Sequence, residues 1–79
     1  MEHLEEVIRV LEEVKPGVDY RREDNLFAGH ILASLEIMML VSELNDEFGI
    51  TVTLPYIKPE NFRSAQTICD MVETILKEE

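Results

Sequence analysis

Three stretches of the chain repeat apolar residues at three- and four-residue steps. In the first, Glu2 to Val14, Leu4, Val7, Ile8, Leu11 and Val14 form one stripe. Glu5, Arg9, Glu12 and Glu13 take the opposite side, and Pro16-Gly17 stops the predicted helix. The second helix runs from about Ser34 to Phe48. At about 100° per residue, Ile37, Leu40, Val41, Leu44 and Phe48 share a core-facing arc. Glu36, Ser42, Glu43, Asp46 and Glu47 share the opposite arc, and Gly49 sits where a C-cap glycine belongs. In the third, Ser64 caps a helix from Ala65 to about Lys77, with Ile68, Met71, Val72, Ile75 and Leu76 as its core stripe. Cys69 falls on that stripe and reads as a buried, inert thiol.

The connections differ in character. Lys15 to Ala33 shows no helical period, and structureless loops beyond about 12–15 residues are unusual in a small domain. Val18, Tyr20, Leu26, Phe27, Ile31 and Leu32 give this one an apolar load, so it is expected to pack onto the helices. Arg21-Arg22-Glu23-Asp24 reads as a solvated turn. Ile50, Val52 and Leu54 alternate like a strand, but no second strand pattern could pair with them. An extended loop is the expectation, followed by a one-turn helix from Pro59 through Phe62.

The predicted fold class is all-α. An antiparallel four-helix bundle with a long first loop and a short third helix is the natural packing. Leu35 and Met39 break the second helix's pattern, projecting from its polar arc. Scattered exposed apolar residues are ordinary. An apolar spot in an acidic face is also how a partner-docking surface looks.

Composition narrows the function classes. The chain has 79 residues, 46% apolar and 30% charged, with seven Lys+Arg against 17 Asp+Glu for a formal charge of −10. That length suits a single domain over residues 1–79. A fold of this size buries about 60% of its unfolded-chain surface and has little room for a deep catalytic pocket. The negative charge argues against nucleic acid or an anionic membrane as partner and favours basic patches. From Glu23 to Ile57 there are six Asp/Glu and no Lys or Arg, so the acidity centres on the second helix. One Cys cannot form an internal disulfide. No run approaches the ~20 apolar residues of a membrane span, so no membrane insertion is expected. The start, Met-Glu-His-Leu-Glu-Glu, lacks the basic residue and apolar stretch of a signal peptide. A cytoplasmic monomer is the expectation.

Most enzyme signatures are absent from the pattern. His3 and His30 have no partners at ligand spacing, so no metal site is expected. No glycine loop cradles phosphate, and the carboxylates lie on faces that read as solvated. The chain is expected to be no enzyme. Ser34 stands apart, at the junction of the long loop and the acidic helix. On the residues alone it is an N-cap, or the first residue of the helix. A group attached there would sit where free backbone N–H groups and the helix dipole favour a phosphate.

The stretch Leu26–Ile50, LFAGHILASLEIMMLVSELNDEFGI, resembles the phosphopantetheine-attachment segment of acyl and peptidyl carrier proteins. Those domains show an acidic pair, a Gly, two apolar residues, Asp-Ser-Leu, and a helix ending in an acidic stretch and Phe-Gly-Ile. Ile31-Leu32 match the apolar pair, Ser34-Leu35 match the end of Asp-Ser-Leu, and Ser42 through Ile50 match the helix end. Pro59-Glu60-Asn61-Phe62, Ser64 and the closing helix look like the family's third and fourth helices. The likeness covers nearly the whole chain and is nearest to discrete peptidyl and D-alanyl carrier proteins. Ala33 stands where the family has Asp, Ala28-Gly29 where it has the acidic pair, and His30 where it has Gly. Met38-Met39 differs from the more acidic helix of fatty-acid carriers.

The resemblance implies a carrier with 4'-phosphopantetheine covalently on Ser34, installed by a phosphopantetheinyl transferase. The arm would hold acyl or aminoacyl groups as thioesters. A loading ligase and a downstream acyltransferase or synthase with basic docking patches would be the other partners. Glu36, Glu43, Asp46 and Glu47 would steer them, and Leu35 and Met39 would supply the apolar contact. The alternative is an unmodified carrier-like bundle acting as a binding or scaffold protein.

Overall fold

The first apolar stripe becomes helix α1, Leu4–Val14, in a computed structural model that describes residues 3–23, 25–26 and 34–78, Ser34 by its backbone alone. The Val7 N–H donates to the His3 carbonyl at 3.0 Å to start it. The Lys15 N–H donates to the Leu11 carbonyl at 2.8 Å to end it, just before Pro16. Val7, Ile8, Val10 and Leu11 are buried. Val10 lies outside the predicted stripe. It is buried because α1 packs against both neighbouring helices, which widens its apolar arc.

The second stripe becomes α2, Ser34–Phe48, with Ile37, Leu40, Val41 and Leu44 buried. Phe48 is half-buried, and its ring meets that of His3 edge-on at 5.4 Å. At the other end of the pair, Lys15 lies 3.7 Å from Glu36. The start of α1 therefore meets the end of α2, and the two helices run antiparallel.

Gly49 ends α2 with a φ of +64°, a conformation costly for any residue with a Cβ. The Ile50 N–H then donates to the Asn45 carbonyl at 3.2 Å, and Ile50 is buried, which together make a Schellman cap. Asn45 serves twice, since its Oδ1 also accepts from the Val52 N–H at 3.0 Å.

Ile50 and Val52 are buried, as their alternation predicts. Leu54 departs from it: it opens a 3-10 turn, Leu54–Tyr56, and is 82% exposed. Pro55 favours this break, because its fixed φ suits the turn and it has no N–H to donate to a ladder. A second 3-10 turn, Pro59–Phe62, drives Phe62 into the core. Ser64 and Thr67 then cap reciprocally. The Thr67 N–H donates to Ser64 Oγ at 3.2 Å, and the Ser64 N–H donates to Thr67 Oγ1 at 3.0 Å. Helix α3, Ala65–Glu78, follows, burying Ala65, Ile68, Cys69, Met71, Val72 and Ile75.

Among the described residues there are three α-helices, two 3-10 turns and no strand, so the fold is all-α. None of these helices is long and apolar enough to cross a membrane. The first loop is packed where it is described. Tyr20 and Leu26 are buried, and Val18 packs against the core. The Tyr20 hydroxyl donates to the Lys15 carbonyl at 2.5 Å, and the Leu26 N–H donates to the Arg63 carbonyl at 2.9 Å. Phe27, Ile31 and Leu32 lie outside the described residues, as does Asp24. The turn at Arg21 and Arg22 is exposed as expected, with Arg21 ion-paired to Glu5.

Candidate functional site

Ser34 is the first residue of α2, not its cap. The opening N–H groups of a helix have no partner within it, and they carry the positive end of the dipole. Ala33, the residue before, lies outside the described residues with Ala28, Gly29 and His30. A phosphate attached at Ser34 would lie at the positive end of the α2 dipole. Glu36 opposes it, being an acid in the first turn. Lys15, 3.7 Å from Glu36 Oε1, offsets part of that charge.

The remaining predicted residues separate into two groups. Leu35, Met39, Glu43 and Asp46 point outward together. Successive members are three or four residues apart, so they form one strip along the helix. Leu35 is 72% exposed and Met39 is 48% exposed. Glu43 and Asp46 are exposed, and no cation among the described residues pairs with them. Toward the start of α2 the strip is apolar, and toward the end it is acidic.

Glu36 and Glu47 form the other group, on the flank that meets α1. Glu36 is half-buried against Lys15, which corrects its assignment to the open polar face. Arg9 Nη2 donates to Glu47 Oε2 at 2.5 Å. One carboxylate is held from α1 and the other from the residue that caps it, so their charge is partly answered inside the molecule. Glu36 also acts on the first loop. Burial, and then the nearby Glu36 and Glu12 carboxylates, push the Tyr20 phenol above its ordinary value.

Met38 was missed from the site. It is 57% exposed and sits beside Leu35 and Met39. The signal was available, because at 100° per residue Met38 falls outside the arc of Ile37, Leu40, Val41 and Leu44. With it the apolar patch has three members. Apolar residues on both faces leave α2 the least amphipathic of the three helices.

Cys69 is fully buried, with Sγ 3.8 Å from Glu73 Oε2. Burial, and then the Glu73 and Asp70 charges, push its thiol up to about 11. It is chemically quiet, as a core cysteine on an acidic helix should be.

No family model, no curated protein and no solved structure matches this chain.

Proposed function

We propose that this chain is a discrete acyl or peptidyl carrier protein. A phosphopantetheinyl transferase moves phosphopantetheine from coenzyme A onto the Ser34 hydroxyl. A new P–O bond forms at Ser34, the bond to the nucleotide half breaks, and Mg²⁺ belongs to the transferase. The attached arm supplies a thiol that holds cargo as a thioester. The chain's own residues present that cargo. Leu35 and Met39, joined by Met38, offer the apolar contact, and Glu43 and Asp46, with Glu36 and Glu47, steer basic partners. A loading ligase and a downstream acyltransferase or synthase, met in the cytoplasm, complete the set.

The observation that supports this most is the placement of Ser34 at the first position of α2, directly before the exposed Leu35, Met38 and Met39. The finer architecture belongs to the same proposal: an antiparallel four-helix bundle in which the Pro59–Phe62 turn stands for a reduced third helix. Intact mass after incubation with coenzyme A and a broad-specificity transferase tests it. A single phosphopantetheine adduct, lost in Ser34→Ala, is the expected result. No adduct, or one that survives Ser34→Ala, overturns it.

One feature favours a second reading, Ala33 in the place of the resembled family's Asp. In that reading the chain stays unmodified and binds its partner through the same α2 face. Partner capture that depends on the Ser34 adduct excludes it.

A further inference from the structure

The described methionines divide by environment. Met38 and Met39 are 57% and 48% exposed, consecutive residues on the side of α2 turned away from the core. Met71 is 4% exposed, inside the core on α3. We propose that Met38 and Met39 are a site of reversible oxidation by hydroperoxides, and that their oxidation turns the apolar half of the α2 face polar and weakens docking there. The docking step rests on the carrier reading; the oxidation does not.

The chemistry is direct. A thioether lone pair attacks one peroxide oxygen. The O–O bond breaks, an S–O bond forms, and sulfur gives up two electrons. The proton on the attacked oxygen passes to the other oxygen, which leaves as water or an alcohol. A thiol-dependent methionine sulfoxide reductase reverses the change. Reaction needs access to sulfur, and Met38 and Met39 are exposed residues where Met71 is buried. The product is a polar, chiral side chain in place of a flexible apolar one. Leu35 is then left as the unoxidised apolar member of the patch. The fold does not depend on the pair. Ile37, Leu40, Val41 and Leu44 hold α2 to the core from the other side.

The test is a hydrogen peroxide time course on the full chain, read by peptide mass mapping and thermal unfolding. Transferase modification of Ser34 is measured in parallel. Met38 and Met39 should oxidise at least about tenfold faster than Met71, whose sulfur reacts only when the helix opens. The melting transition should hold. Modification of Ser34 should slow by about tenfold, the scale of losing one well-buried apolar contact, and recover after reductase treatment. The Met38→Leu/Met39→Leu variant, compared with itself, should not slow on peroxide treatment. Met71 oxidising as fast as the pair, or unfolding on oxidation, overturns the site. An oxidised chain modified at its unoxidised rate overturns the docking step. A chain that takes no phosphopantetheine even when reduced sinks the carrier reading and the docking step with it. The order in which Met38, Met39 and Met71 react then still decides the oxidation site.

Discussion

Arg9 on α1 grips Glu47 on α2 through a 2.5 Å hydrogen bond, so one carboxylate of the acidic helix already has a cation. Glu43 and Asp46 have none among the described residues. All three add to the long-range field, which salt screens. Only a carboxylate free of a partner makes a short contact without first breaking another. On the proposed carrier function, Glu43→Gln and Asp46→Asn should therefore raise the KM of the transferase reaction by about two- to fivefold at low salt. Part of that effect should persist at about 1 M salt, where the screening length is about 3 Å. Glu47→Gln should act at low salt alone. Initial rates of the three variants at both ionic strengths check this, and equal salt sensitivity would count against it.

Asn45 holds the chain that leaves α2. Its Oδ1 accepts the Val52 N–H, and Val52 is buried, so truncation leaves a backbone donor without its partner. Asn45→Ala should lower stability by about 1–2 kcal/mol in a denaturant titration. Asn45→Asp keeps an acceptor oxygen and should recover part of the loss. It will not recover all, because a negative charge near a helix C-terminus is unfavourable.

Cys69 should be protected from alkylation. Its ordinary value is 9.0, and burial raises it to about 11 in the folded chain. Two pH units mean about a hundredfold less thiolate near pH 8, before any loss of access. Iodoacetamide should label the native chain at least that much more slowly than the unfolded one. The folded state holds this proton more tightly, so the contribution to stability is complete below pH 9. It is lost as pH rises from 9 to about 11. Denaturation midpoints at pH 8 and at about pH 10.5 should differ in that direction, and less so in Cys69→Ala.

The helices were legible because their causes are local. Leu4, Val7, Ile8 and Leu11 repeat at helical spacing, Ser64 precedes a run that needs a cap, and Gly49 stands where a left-handed residue is required. What stayed hidden depends on residues far apart in the chain. Val10 is buried because two helices meet α1. Glu36 and Glu47 are answered by Lys15 and Arg9, 21 and 38 residues away, and no pattern within α2 announces that. Leu54 looked like the third step of an alternation, but Pro55 turns the backbone before that step is taken. At the candidate site the start of α2 and the exposure of Leu35 and Met39 followed from periodicity. The division of its acids into a paired flank and an open strip required the packing.

Ala33 offers the most direct test of how much the start of α2 limits the proposed modification of Ser34. An alanine there has no side-chain atom to accept a helix N–H, and Asp in its place supplies both an acceptor and a charge suited to the dipole. Ala33→Asp should therefore stabilise the chain by about 0.5–1 kcal/mol in thermal or denaturant unfolding. It also adds a carboxylate beside Ser34, where a basic transferase would approach. Phosphopantetheine transfer should accelerate by several-fold under kcat/KM conditions, and the gain should shrink as salt is added. Ala33→Asn separates the two effects. It keeps the capping oxygen without the charge, so it should stabilise the helix while leaving transfer near the Ala33 rate. If Ala33→Asp raises stability and leaves transfer unchanged, the missing acid limits the helix and not the recognition of Ser34.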